Sequence, residues 1–533
     1  MKKILYSSLF LFGMLNVSDV FSQTKKKPNV LFIAIDDLKP ILGCYGNKLV
    51  KTPNIDRLAK MGTVFMKNYC QQAVCGPTRA SIMTGMRPDY TKVWDLKTKM
   101  RDMNPDIVTI PQYFISQGYA AAGVGKIYHP TCVEKNDELS WSVPYLKPSD
   151  EDYANGLGKP AKTQYQSPEN KAAIAAASDT KGDVGEDGET GGKKKGPSSE
   201  CIDVPDNAYE DGVSALLARE QLIKFNQSGK PFFMAVGFHK PHLPFVAPKK
   251  YWDLYKREEM PIAEFQEHSK DGPLVAYHSS SELRNYTDIP ENATLPKEDN
   301  RIGLKMEKQK ELIHGYYAAV SYADAQVGIL LNTLDSLGIL NNTVIVLWGD
   351  HGWHLGDHDL WEKHTNFENA THAPLIFAAP GLKPGTTNSL SEHVDVFPTL
   401  CDLAGIPIPA QLQGKSLKPI MQNNKKTVKE YAISQYPRKL KADVMKELGY
   451  TDKNLMGYTL RTDNYRFTMW LNNSFRSNEP YTANRVYALE LYDYEKDPME
   501  TKNVSGDPAY TSIKKDLEEK LIEYFKSQET KTK

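Results

Sequence analysis

Val30-Leu31-Phe32-Ile33-Ala34-Ile35-Asp36-Asp37 is an apolar run ended by two acids. An apolar run without alternation suits a strand buried on both faces, as in a parallel sheet covered by helices. The pattern recurs along the chain. Ala120–Val124 is followed by Gly125-Lys126, with His129 just beyond, and Phe232–Phe238 by His239-Lys240-Pro241-His242. Val344–Trp348 is followed by Gly349-Asp350-His351, and Leu375–Phe377 is a shorter run. Helical patterns fall between these runs, at Asn54–Met61, Asp211–Asn226 and Ile313–Leu337, the last closed by Gly338. The alternation predicts an α/β fold with a large, mostly parallel sheet flanked by helices. Ligands of such sheets bind at the carboxyl ends of the strands. Four strands therefore deliver Asp, Lys and His to one edge.

Asp36, Asp37 and Asp350 offer three carboxylates, the oxygen donors that a hard divalent cation such as Ca²⁺ requires. Paired acids after a strand also serve as helix caps, which covers Asp36 and Asp37 but not Asp350. His351 is a poor ligand for a hard ion; it either coordinates weakly or hydrogen-bonds a substrate. His129 and His242 are acid–base candidates because imidazole titrates near neutrality. A second stretch, Cys75-Gly76-Pro77-Thr78-Arg79, predicts a cysteine at the start of a helix. Helix N-termini favour anions, so Cys75 reads as a reactive thiol. Taken alone, these five residues equally fit a buried cysteine or half of a disulfide.

The chain has 533 residues, 40% hydrophobic and 25% charged, with net charge +0. That describes a globular protein of more than one domain and gives no reason to expect a nucleic-acid partner. Residues 1–23 read as a signal peptide: a basic start at Lys2-Lys3, an apolar run from Ile4 to Val17 and a small-residue cleavage zone. The implied location is periplasmic or secreted, without a membrane anchor. Residues 24–425 form the expected catalytic domain and 426–533 a smaller C-terminal α+β subdomain. In the latter, strands are predicted at Tyr431–Ser434, Tyr465–Trp470 and Glu490–Asp493, and a helix at Asp507–Ser527. Residues 150–200 interrupt the pattern, and Lys162–Ser199 reads as a flexible solvated insertion rather than a basic binding patch. Six cysteines are too few for a disulfide scaffold, although Cys132 and Cys201 flank the insertion and could staple it.

The Cys-x-Pro-x-Arg run resembles the signature of the type I sulfatases, of the alkaline-phosphatase superfamily. Asp36-Asp37-Leu38-Lys39-Pro40, Gln71–Cys75, Gly125–Pro130, Gly237–His242, Leu355–His358, Trp361–Phe367, Ala370–Leu375 and Glu490–Pro498 are similar, in the same order, to the iduronate-2-sulfatase branch. The resemblance implies a sulfatase-like fold and one Ca²⁺ held by Asp36, Asp37, Asp350, His351 and residue 75. A maturation enzyme would convert Cys75 to formylglycine, whose hydrate serves as nucleophile and metal ligand. Arg79 would support that hydrate. Lys126, His129, His242 and Lys363 would face the sulfate, with His129 as acid–base, and His239 and Lys240 would touch the sugar. The expected substrate is a sulfated oligosaccharide, such as a glycosaminoglycan fragment, carrying 2-O-sulfate on a uronic acid. The alternatives are another sulfated polysaccharide sugar, a phosphodiester or phosphonate monoester, or glycan binding without turnover if Cys75 is not matured.

Overall fold

The computed structural model describes residues 27–154, 156–160, 164–176, 196–289, 301–448, 453–472 and 485–529. The expected signal peptide lies outside them. Seven strands form the main sheet: β1 Asn29–Ile35, β2 Thr63–Tyr69, β3 Ala120–Gly125, β4 Phe232–Phe238, β5 Thr343–Gly349, β6 Leu375–Ala378 and β7 Gly385–Glu392. Their order is β7-β2-β6-β5-β1-β4-β3. Only β6 runs against its neighbours; the other pairings are parallel. β1 and β4 are buried along their whole length, as unbroken apolar runs require. Neither β2 nor β7 stands out in the sequence, because β2 carries Lys67 and Asn68 and β7 is a polar edge strand.

Register decides what the sheet presents. Ile35 at the end of β1 lies between Phe238 of β4 and Gly349 of β5, and Gly125 of β3 lies beside Gly237. Asp36, Lys126, His239 and Asp350 therefore leave the sheet side by side. The β3–β4 contact needs glycine on both strands. A Cβ at Gly125 would stand 2.0 Å from the Gly237 oxygen, and one at Gly237 2.1 Å from the Lys126 oxygen.

The helix α1, Cys75–Thr84, starts two residues before Pro77 and is buried throughout. Two long helices, α2 Glu210–Ser228 and α3 Met306–Ser336, pack together against the opposite face. Beyond the main sheet, β8 Ala432–Lys439, β9 Asn454–Arg461, β10 Tyr465–Leu471 and β11 Val486–Asp493 form an antiparallel sheet covered by α4, Thr511–Glu529. β9 escapes sequence reading because Gly457 interrupts its apolar run. A Cβ there would press on the Trp470 ring at 2.8 Å.

The expected loop at Lys162–Ser199 contains regular structure. Pro168–Ala176 is a surface helix, and Ser199–Ile202 is a strand paired with Phe245–Pro248. Alanine and glutamate favour that helix despite the polar composition. Residues 177–195 lie outside the described residues. No Cys132–Cys201 staple exists, because all six cysteines are free. Cys132 is buried in the core beside β3 and α1, whereas Cys201 is exposed on the short strand. Glu200 fastens the insertion instead: its carboxylate accepts from the Gln166 and Ser167 backbone, Asn170 Nδ2 and the Tyr209 hydroxyl.

Within the C-terminal sheet, Glu490 accepts from Trp470 Nε1 at 2.7 Å and the Tyr492 hydroxyl at 2.9 Å. Burial pushes its carboxyl from 4.5 up to about 7. The folded state thus holds a proton that the unfolded chain releases, and this site loses stability as pH rises from 4.5 to about 7. Glu490→Gln should raise the melting temperature at pH 8, by up to about 3 kcal/mol of stability, and leave it unchanged at pH 4. Melting curves across that range check the sign.

Candidate active site

Asp36 and Asp37 close β1, Asp350 and His351 close β5, and Lys126 closes β3. Asp37 sits in the left-handed region at φ 56, so the two neighbouring acids diverge. Its amide donates to Asp350 Oδ1 at 2.9 Å, and Tyr316 donates its hydroxyl to the Asp37 carbonyl at 2.6 Å. α1 then brings Cys75 and Arg79 under this edge. The Thr78 hydroxyl donates to the Asp350 carbonyl at 2.9 Å and accepts from His393 Nδ1, tying α1 to β5.

Cys75 is 3% exposed. Its sulfur lies 3.4 Å from His351 Nε2, 3.8 Å from Asp37 Oδ1 and 3.9 Å from Lys126 Nζ. Burial pushes the thiol well above its ordinary range. Asp36 and Asp350 add to that, outdoing Lys126 and Lys363. Desolvation and the flanking acids thus work against the thiolate that the helix N-terminus favours.

Arg79 is fully buried and stacks over the Trp348 ring at 5.4 Å. Its Nη2 donates to Asp36 Oδ1 at 2.9 Å and its Nε to Asp350 Oδ2 at 3.1 Å, and Nη1 donates to the carbonyls of Lys126 and Ile127. These bonds define a clamp holding two carboxylates and the β3 turn at fixed spacing. The guanidinium thus orders the two acids beside residue 75. Lys126 pairs with Asp36. Burial opposes the charge on Lys126, but Asp36 raises its basicity above normal.

Lys363 comes from the turn after the short strand Trp361–Glu362. Its neighbours Glu362 and His364 take positive φ, 88 and 48, which costs energy and persists only where the surroundings impose it. The ammonium lies 3.3 Å from Asp37 Oδ2, 3.0 Å from Glu282 Oε2 and 4.9 Å from the Trp353 ring centre. His242 Nδ1 donates to the Leu243 carbonyl at 2.6 Å, which directs Nε2 to Glu282 Oε1 at 3.3 Å and Asp37 Oδ2 at 3.8 Å. Burial, with Lys363 next, holds the His242 imidazole well below its usual range.

His129 stands at the rim, half-buried. Its Nδ1 is 2.8 Å from Thr131 Oγ1, whose hydroxyl is donated to the Leu96 carbonyl, so Nδ1 carries the proton and Nε2 is left to accept one. Burial, then Lys126, takes its pKa down to about 3. His239 and Lys240 do not join the cluster. Asp211 accepts from both backbone amides, and the His239 ring faces Glu210 at 3.6 Å. Lys240 is 2% exposed and donates to the carbonyls of His242 and Pro244. The structure gives it the shape of the His242 turn to hold rather than a sugar, because its polar end is spent on backbone.

Glu282, Thr78, His393 and Tyr316 are the residues that sequence reading missed. Glu282 belongs to the one-turn helix Ser281–Arg284, with no strand before it to mark it. His393 follows the polar edge strand β7, and Thr78 and Tyr316 sit inside helices.

Among the described residues, ligand atoms of Asp37, Cys75, Asp350 and His351 lie within 4.8 Å of one another, as do those of Asp36, Asp37, Cys75 and His242. His351 Nδ1 donates to the Gly352 carbonyl at 2.9 Å, leaving the Nε2 lone pair aimed inward. Four buried carboxylates (Asp36, Asp37, Asp350, Glu282) face three buried cations (Arg79, Lys126, Lys363). The excess is felt at Asp37. Burial pushes its carboxyl well above the usual range; Lys363 opposes this, while Asp36, Asp350 and Glu282 add to it. An oxygen-rich set with a negative excess fits a hard divalent cation.

A sulfatase family model matches residues 28–406, and a model described as N-sulphoglucosamine sulphohydrolase, C-terminal, matches residues 356–527. Human iduronate 2-sulfatase is 35% identical over 537 residues, covering 90% of this chain and 91% of that protein. A solved structure described as a 2-O GAG sulfatase superposes with a TM-score of 0.62 at 22% identity, covering 95% of this chain and 93% of that one. The phosphonate monoester hydrolase of Agrobacterium radiobacter superposes with a TM-score of 0.66 at 21% identity, covering 94% and 96%. The fold is thus similar in both kinds of hydrolase.

Proposed function

The chain belongs to the sulfatase family and is a sulfuric ester hydrolase, and from that premise we propose that it removes 2-O-sulfate from a uronic acid in glycosaminoglycan-type fragments. The observation that carries the reading is the meeting of Cys75 with Asp37, Asp350, His351, Lys126 and Lys363 in one buried cluster. The uronate specificity rests on the iduronate 2-sulfatase relatives.

Asp36, Asp37, Asp350, His351 and residue 75 would hold the cation, Ca²⁺ by the hardness of the donors. There it would supply Lewis-acid stabilisation of charge on the sulfuryl oxygens. The burial of Cys75 among acids, which disfavours a thiolate, supports a modified group at this position. A formylglycine hydrate would offer one hydroxyl to attack sulfur and a second to release sulfate. Lys126 and Lys363 present preorganised positive charge in a buried site, where it counts for most. Arg79 keeps Asp36 and Asp350 in register. His129, neutral near pH 7, would accept a proton at Nε2 and could return it to the departing sugar oxygen. Its position at the rim suits that task. Entry of the chain into an oxidising compartment, by the N-terminal signal peptide, and maturation by a formylglycine-generating enzyme complete the reading.

Sulfate release from defined disaccharides differing in sulfate position and uronate epimer tests it. We expect kcat/KM for the 2-O-sulfated uronate to exceed that for 6-O- or N-sulfated glucosamine by at least about 100-fold. The reverse preference would overturn the specificity. Hydrolysis of a phosphonate monoester without sulfate release would overturn the reaction, and binding without turnover by matured protein would make the chain a glycan-binding protein. EDTA should lower both activity and melting temperature, with Ca²⁺ restoring both; restoration by Zn²⁺ alone would argue against the hard-donor site.

A further inference from the structure

Glu282 is an odd residue to find here. A substrate site for an anion gains nothing from a fourth carboxylate, and a buried charge is costly unless paired. Yet Glu282 is 3% exposed and lies against the two groups read as sulfate-facing. Its Oε2 is 3.0 Å from Lys363 Nζ and its Oε1 3.3 Å from His242 Nε2.

Its own position is strongly determined. Ser280 takes φ 51, an unfavourable conformation, and its amide donates to His278 Nδ1 at 2.9 Å. The Trp361 amide donates to the Ser280 hydroxyl at 3.2 Å, and the Leu283 amide donates to Glu362 Oε1 at 2.7 Å. The residues on both sides of Glu282 are thus stitched to the residues that immediately precede Lys363. The 278–284 segment and the 361–364 turn form one unit. Such strained, overdetermined backbone is the kind found where a group must be held in place.

We propose that Glu282 is a positioning residue for this reaction, its carboxylate holding the Lys363 ammonium through Oε2 opposite Asp37. The proposal rests on the sulfatase reading above. Lys363 has three N–H donors on a flexible stem. Asp37 takes one side and the Trp353 ring another. Without Glu282 the ammonium would be drawn wholly to Asp37, away from the open side of the site. With it, the charge is balanced between two carboxylates, and the donor that faces substrate is held in one direction. A misplacement of about 1 Å can cost about 100-fold in rate.

The test uses the full-length, matured protein and three variants, Glu282→Gln, Glu282→Asp and Glu282→Ala, assayed on the 2-O-sulfated uronate disaccharide. Glu282→Gln should lower kcat by about 10–100-fold with KM changed less than about threefold, and its melting temperature should stay near wild type. Glu282→Asp, which keeps the charge, should recover part of the kcat that Glu282→Ala loses. In a Lys363→Ala background, Glu282→Ala should cost far less than in wild type, because its effect passes through Lys363. Wild-type kcat in Glu282→Gln, full additivity with Lys363→Ala, or a loss of activity that only follows a loss of folded protein would each overturn the proposal. A wild-type protein inactive on every sulfate ester would instead fail the sulfatase reading, so the two failures are distinguishable.

Discussion

Cys75→Ala should abolish sulfate release, by at least about 10⁴-fold in kcat, while the protein stays folded. The size follows from what the side chain touches. Asp37, His351 and Lys126 converge on residue 75, within 3.4 to 3.9 Å of its sulfur. The fold should survive because those are weak sulfur contacts. The frame of the site is held elsewhere, by Arg79 and by the strand register. Burial and the flanking acids disfavour the thiolate, and a thiol lacks the second hydroxyl needed to release sulfate, so an unconverted cysteine should be nearly as inactive as alanine. Mass measurement of the peptide carrying residue 75 separates the two forms: conversion exchanges sulfur and two hydrogens for one oxygen. Full activity in protein whose residue 75 is an unmodified thiol would contradict the reading, as would substantial turnover by Cys75→Ala.

Arg79→Ala should damage both stability and activity. Its guanidinium sits between Asp36 and Asp350, all three fully buried. Removing one partner from such an arrangement strands the others, at a cost of about 3–5 kcal/mol. The carboxylates that would hold the cation then lose their spacing, and kcat/KM should fall by about 10²–10³-fold. Arg79→Lys should restore little of either. A single ammonium cannot reach Asp36, Asp350 and the carbonyls of Lys126 and Ile127 together, as the planar fork does. Adding Asp36→Asn to Arg79→Ala should return part of the lost stability, because the uncompensated charge is then gone. Thermal melts of the single and double variants check this; strictly additive losses would show that the charges are not coupled.

Much of this arrangement is legible in the chain before it folds. Asp36, Lys126 and Asp350 each end an apolar run, and a run that breaks into polar residues marks both a buried strand and its functional end. Cys75 and Arg79 lie one helical turn apart, so either one locates the other. Lys240 misled for the same reason. It follows an apolar run too, but its ammonium turns back onto the carbonyls of its own loop, and one-dimensional spacing contains no side-chain direction. The Cys132–Cys201 pairing failed because proximity across an insertion depends on which core each half enters. That Arg79 bridges Asp36, Asp350 and the carbonyls of Lys126 and Ile127 shows only in the folded chain, because those partners come from three different strand ends.

The sequence by itself determined the buried strands, the polar residue closing each and the cysteine-led helix, because adjacency along the chain records all three. Only the tertiary structure decided that Glu282 meets Lys363 and His242, that Cys75 is buried against acids and that Glu200 pins the insertion. Those outcomes depend on strand register, burial and charges brought together from distant parts of the chain, and none of these is a property of any single segment.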